Sequence, residues 1–173
     1  MNLLEKSLNV SGVFAELEVE IQEFLSQSQL TCFKGCGHCC TNPRVSASVL
    51  EFLPLAFDIY QSGKAEDTIA LLSTSSEESY CIMLKKLGVD ADAGQCTNYA
   101  NRGLICRLFA SSARKNKNGE KELLVCKKIK EEHLVPQVEI DQVITLDTIN
   151  SKFYKILKQM APFGPGNMHP VFV

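Results

Sequence analysis

The chain has 173 residues and a formal net charge of -2, with a pI near 5.9. That length suits one domain with its own core, and the charge lacks the basic footprint that nucleic acid or an anionic membrane selects, so neither is expected as a partner. Met1 to Val10 carries no basic flank or continuous apolar run, and no stretch approaches the length of a membrane span, so a cytoplasmic protein is expected; there, eight cysteines point to thiolate ligation or redox chemistry rather than disulfides.

The chain opens with an amphipathic period. Val10, Val13, Phe14, Leu17, Ile21, Phe24 and Leu25 recur at three- and four-residue steps with acidic residues mostly between them, which predicts a helix over 11–29 capped by Ser11, or one that starts nearer Leu3. It leads into Cys32-Phe33-Lys34-Gly35-Cys36-Gly37-His38-Cys39-Cys40. Ligand cysteines cluster on tight turns because their sulfurs must converge on one ion, and Gly35 and Gly37 would supply positive φ for such a turn. Pro43 then interrupts regular structure, and Ser46 or Ser48 caps a second helix over 47–61, stopped by Gly63, with Pro54 in its first turn or at a kink.

A third helical region is expected over 65–87, broken at Ser73–Ser76 and resumed from a Ser75/Glu78 capping box to Gly88, with Cys81 on it. The small, acidic stretch Val89–Gln95 reads as a loop that delivers Cys96. Asn101 would cap a short helix carrying Cys106, Arg107, Leu108 and Phe109. Lys117-Asn118-Gly119-Glu120 signals a hairpin between Phe109–Ala113 and Leu123–Cys126. A charged helix at Lys127–His133 and a closing helix over 147–161, marked by Ile149, Phe153, Ile156, Leu157 and Met160, complete the elements. The expectation is therefore a mainly α single domain, 1–173, with several helices around a cysteine-rich metal-binding loop and one small β-hairpin.

Adjacent Cys39 and Cys40 would point to opposite sides of an extended backbone, so one ion would not take both and distant cysteines must complete the sphere. Eight cysteines make two four-thiolate sites, or one four-thiolate cluster with extra ligands or a redox pair. The candidate metal ligands are Cys32, Cys36, Cys39, Cys40, Cys81, Cys96, Cys106 and Cys126, with Cys81 alternatively a core cysteine on an apolar helix face. His38, flanked by thiols, reads as an outer hydrogen-bond donor or a solvated side chain, and His133 and His169 have no partner at ligand spacing.

These residues carry a resemblance. The loop Cys32, Cys36, Cys39, Cys40, then Cys81-Ile-Met-Leu84, then Cys96-Thr-Asn-Tyr99 with Arg102 and Cys106-Arg107-Leu108-Phe109, and lastly Cys126-Lys-Lys-Ile-Lys130 are similar to the YkgJ-like cysteine-cluster family, named for its CxxCxxCC loop. The resemblance covers residues 32–135 and implies a domain that chelates zinc or iron, including a [4Fe-4S] cluster as one form. The chain departs from the pattern in two places: three residues separate Cys32 from Cys36 where the family has two, and Gly103 stands where it usually has proline.

A site of four thiolates around a divalent ion carries about two net negative charges, which an arginine beside a ligand offsets. Arg102 and Arg107 are the candidates for that cofactor-facing role, against the plainer reading of solvated surface arginines. Three functional classes follow. The favoured one is a metal-binding domain holding zinc or iron; the others are an iron–sulfur enzyme or electron carrier, such as the flagellin lysine methylases that some similar proteins look like, and a thiol redox sensor. Cys96, Cys106 and Cys126 are expected to lie beside the Cys32–Cys40 loop.

Overall fold

The amphipathic period at the start of the chain produces one helix, α1 (Leu3–Ser28). It begins at the earlier of the two expected positions, because Asn2 and Glu5 form a reciprocal cap: the Asn2 amide donates to Glu5 Oε2 at 3.0 Å and the Glu5 amide to Asn2 Oδ1 at 2.9 Å, which satisfies two donors that a helix start otherwise leaves open. Ser11, inside the helix, donates its hydroxyl to the Ser7 carbonyl. Val10, Phe14, Leu17, Ile21 and Phe24 form its buried stripe.

The computed structural model describes residues 2–28, 30, 32, 34–89, 93–109, 113–115, 117–126, 129 and 169–170. The expected helix at 147–161 lies outside these residues, as does that at 127–133 apart from Ile129, which is helical. The chain is mainly α. After α1 come β1 (Ser46–Ala47), α2 (Leu53–Gln61), α3 (Ala65–Thr74), β2 (Leu84–Lys86), β3 (Gly94–Cys96), α4 (Leu104–Leu108), β4 (Ala113–Lys115), β5 (Lys121–Leu123) and β6 (His169–Pro170).

Pro54 sits at the start of α2, where its missing N–H costs nothing, and a 3₁₀ turn at Val49–Phe52 precedes it. Gly63, at φ 71°, ends α2 in the left-handed conformation that glycine adopts most readily. The hairpin forms around the expected Asn118-Gly119 turn, with Gly119 at φ 83°, but its strands lie closer to the turn than expected: Ala113 pairs with Leu123 and Lys115 with Lys121. Two separate two-stranded ladders also form among the described residues, β1 with β6 and β2 with β3, both antiparallel.

The second half of the region expected to be helical, 75–87, is instead a turn and a strand. The Ser76 amide donates to Ser79 Oγ at 2.9 Å, a local bond that competes with helix. Leu84–Lys86 then finds a ladder partner in Gly94–Cys96, so the helical spacing of Tyr80, Leu84 and Leu87 loses to pairing with a distant segment.

The chain divides into two compact units. The first comprises Met1–Ser11, Phe33–Cys106 and Gly166–Val173, and its buried apolar residues include Val10, Ala47, Leu55 and Leu104. The second comprises Gly12–Cys32 and Arg107–Pro165, with Phe14, Leu17, Ile21, Phe24, Leu30, Leu108, Leu123 and Ile129 buried.

Candidate metal centre

In the first unit the cysteine loop is built by backbone contacts that need glycine. Gly35, at φ 77°, turns the chain so that its carbonyl accepts from the Gly94 amide at 2.8 Å, and Cys36 bridges Ala93. Gly37 has φ -103°, against the expectation of positive φ. Glycine is needed there for space, since a Cβ would lie 2.7 Å from Leu84 Cδ1 and 3.2 Å from Gly94 Cα. The small residues on both segments let the loop lie directly on the β2–β3 ladder that carries Cys96.

Cys39 and Cys40 lie on a 3₁₀ turn, His38–Thr41, closed by the Cys40 amide donating to the Gly37 carbonyl at 2.8 Å. Their sulfurs are 3.9 Å apart. The expectation that the pair would point to opposite sides rested on extended backbone; in a helical turn neighbouring side chains splay much less than in a strand, so both thiols face the same group of cysteines.

Cys81 joins them from the segment before β2: its amide donates to the Cys40 carbonyl at 2.9 Å, and the two side chains share a hydrogen bond. The thiols hold one another's protons. The hydrogen bond with Cys40 pushes the Cys39 pKa far up. Cys40 is lowered by that bond, but its own donation to Cys81, burial and the charges of Cys81 and Cys106 outweigh this and bring it up to about 12. Cys81, receiving from Cys40 and from the Met83 amide, is pushed below the ordinary thiol value despite desolvation. Cys106 is raised to about 11 by desolvation first, then by the charges of Cys39 and Cys96, with Arg102 opposing.

Cys81 and Cys106 therefore lie within electrostatic reach of the Cys39–Cys40 turn, and Cys96 within reach of Cys81 and Cys106. Cys36 belongs to the same unit. Cys32, exposed, and Cys126 belong to the second unit, where the Ile129 amide donates to Cys126 Sγ at 3.4 Å. None of the eight cysteines forms a disulfide.

The two arginines have separate surroundings. Arg102 stacks on Tyr99, its guanidinium carbon 3.7 Å from the ring centroid, and its charge lowers Cys106. Arg107 is buried, donates from Nη1 to Glu18 Oε2 at 3.1 Å and lies 4.6 Å from the Phe14 ring centroid. Its immediate role is to tie α4 to the middle of α1.

Sequence reasoning missed Glu51. Its carboxylate is buried. Oε1 accepts from the Ser48 amide at 2.9 Å and the Ser48 hydroxyl at 3.0 Å, Oε2 accepts from the Ile105 amide at 3.3 Å, and the Leu104 amide also donates to the carboxylate. Glu51, rather than Asn101, thus caps α4; Asn101 donates instead to Asn98. Burial raises the Glu51 carboxyl above its ordinary range while these four donors pull it down. The Ser48-x-x-Glu51 spacing was readable as a capping box, but its second client, 54 residues away, was not. Gly103 also has a reason in space, because a Cβ there would lie 2.7 Å from Phe52 Cζ.

Among the described residues, no group of three or more His, Cys, Asp or Glu side chains is already drawn tightly enough to hold an ion. The donors nevertheless suit zinc or iron: several soft thiols share protons with one another and oppose one another's ionisation, and a bound cation would replace those protons.

The tight loop, a strand and a short helix each contribute cysteines to the first unit. Residues 31–140 match the model of the CxxCxxCC family, described as "Putative zinc- or iron-chelating domain"; the match spans more than half of the chain, and the chain belongs to that family. A second model, the RecJ OB domain, matches residues 140–173, of which only His169 and Pro170 are described. No curated protein and no solved structure matches the chain.

Proposed function

We propose that the protein binds zinc or iron through a centre in its first unit, with Cys39, Cys40, Cys81, Cys96 and Cys106 as the ligand pool and Cys36 beside them. The observation that carries this is the arrival of Cys81 and Cys106, from two separate segments, within electrostatic reach of the Cys39–Cys40 turn, with Cys96 from a third segment acting on Cys81 and Cys106. When bound, zinc would crosslink these segments, whereas an iron–sulfur cluster would add electron transfer. Cys81, already lowered, is the thiol first ready to ligate. Arg102 offsets negative charge at Cys106, and Tyr99 holds its guanidinium in place. Cys32 and Cys126 remain proposed ligands of the second unit's own surroundings or of a second ion. The clustering of cysteines in a ligand-like loop fits a reducing, cytoplasmic setting.

The test is elemental analysis with a visible spectrum on protein purified without oxygen. Stoichiometric zinc with no visible band selects a zinc chelator, and iron with acid-labile sulfide and broad visible absorption selects an iron–sulfur protein. Metal at well below one ion per chain, unchanged on adding zinc or ferrous iron, overturns the proposal. The hydrogen-bonded run Cys39–Cys40–Cys81 favours a second reading, a thiol redox sensor, which predicts thiol counts on metal-free protein that fall reversibly with mild oxidant.

A further inference from the structure

Glu51 is the one buried acidic side chain in the first unit among the described residues, and no expectation about ligands or cofactors involved it. It also stands at a junction. The 3₁₀ turn it belongs to, Val49–Phe52, follows the cysteine loop by a few residues, and α4, whose first amides it accepts, delivers Cys106 at its third position. Its two oxygens are divided between these elements: Oε1 serves Ser48 and Oε2 serves Ile105, with the Leu104 amide as a further donor.

We propose that Glu51 is the positioning residue of the thiol site, a buried carboxylate that fixes the start of α4, and with it Cys106, to the Val49–Phe52 turn downstream of the cysteine loop. The proposal rests on the metal-binding reading above. A five-residue helix cannot hold its own first turn, because nucleation orders several residues before the intrahelical bonds accumulate. An acceptor from elsewhere in the chain therefore decides where α4 starts. Cys106 follows the Ile105 amide by one residue, and its own amide donates to Gly103 at 3.2 Å, so the direction of its Cα–Cβ bond is set by the turn that Glu51 closes. Phe52, next in sequence, lies over Gly103 and locks the same junction from its apolar side. Both carboxylate oxygens are occupied by donors, so Glu51 acts through Cys106 and not as a ligand.

The geometry accounts for the residue type. Glutamine would keep one acceptor oxygen and turn an NH₂ toward donors on its other side, leaving either Ser48 or α4 facing a donor. Aspartate keeps the carboxylate but is shorter by one methylene, so it can serve one element at a time.

The experiment uses the full chain and Co²⁺ as probe, since thiolate–cobalt charge-transfer and d–d bands report ligand number and geometry. Glu51→Gln is expected to bind Co²⁺ about 10–100-fold more weakly, the range for loss of groups that orient metal ligands, with a weaker charge-transfer band per cobalt. Independently of any metal, the Leu104 and Ile105 amides of the metal-free variant should exchange faster than in wild type. Ser48→Ala is the control: it removes one donor to Oε1, leaves α4 served, and should lower thermal stability with the cobalt spectrum unchanged. If Glu51→Gln does not fold, Glu51→Asp is read by the same criteria. Wild-type affinity and spectrum in the Glu51 variant, or equal spectral change in Ser48→Ala, overturns the positioning role while the metal reading stands. Absence of a charge-transfer band in wild type overturns the metal reading, whereas faster Leu104 and Ile105 exchange alone would still show Glu51 holding α4.

Discussion

At Gly103 the chain needs a residue without a side chain, and Phe52 shows why. An added Cβ would meet Phe52 Cζ at 2.7 Å and Cε1 and Cε2 at 3.1 Å, so a larger residue would have to displace the ring. Gly103→Ala is expected to lower stability by about 1–3 kcal/mol, the usual cost of overpacking. Phe52→Leu in the same chain should recover part of the loss in thermal denaturation; additive losses would show that the ring is not the obstacle. The thiols make a second prediction at this scale. Cys40 at about 12 and Cys106 at about 11 stand above the ordinary 9.0 in the metal-free fold, so these groups are protonated near neutrality and must lose protons to ligate. Metal uptake should therefore release protons and tighten as pH rises, as calorimetry in buffers of different ionisation enthalpy would measure. For the metal-free fold the sign is opposite. Between about pH 9 and 12 the folded thiols hold protons that the unfolded chain has lost, so stability falls as pH rises, while the lowered Cys81 works the other way just below pH 9.

Among the elements, α2 and α3 contrast. Leu55 on α2 is buried, whereas α3 has no buried residue and leaves Ile69, Leu71 and Leu72 exposed. Leu55→Ala should cost about 2–5 kcal/mol, and Ile69→Ala less than about 0.5 kcal/mol. Denaturant unfolding of the two variants decides this, and equal losses would mean that α3 is packed. The helices with clear periods were legible in sequence: α1 through its apolar stripe, α2 through Pro54 and Gly63, the hairpin through Asn118-Gly119. Residues 75–87 were not, because Tyr80, Leu84 and Leu87 fit a helical period and only the ladder with Gly94–Cys96 shows that they do not use it. Secondary structure in so short an apolar segment is set by whichever partner satisfies its backbone.

For the whole chain, the expected test is removal of the ion. The first unit has few large buried apolar residues, and its cysteine segments meet through single backbone bonds such as Cys81 to Cys40 and Gly94 to Gly35. Structural metal binding supplies on the order of 10 kcal/mol. A strong chelator, or Cys106→Ser, should then accelerate amide exchange over residues 93–106 while the Phe14–Phe24 part of α1, with its own buried stripe, retains protection. Unchanged exchange over 93–106 would make the metal an accessory on a self-sufficient scaffold.

The family, the thiolate chemistry and the mainly α character were written in the sequence, because spacing, cysteine density and hydrophobic period are properties of neighbouring residues. Tertiary structure alone decided that Cys39 and Cys40 face the same way, that Cys81 ends a chain of hydrogen-bonded thiols, and that Arg107 pairs with Glu18. It also decided that Glu51 caps a helix far along the chain and that Gly103 makes room for Phe52. Each of these depends on which distant backbone or ring occupies the space beside a residue, and no local pattern encodes that.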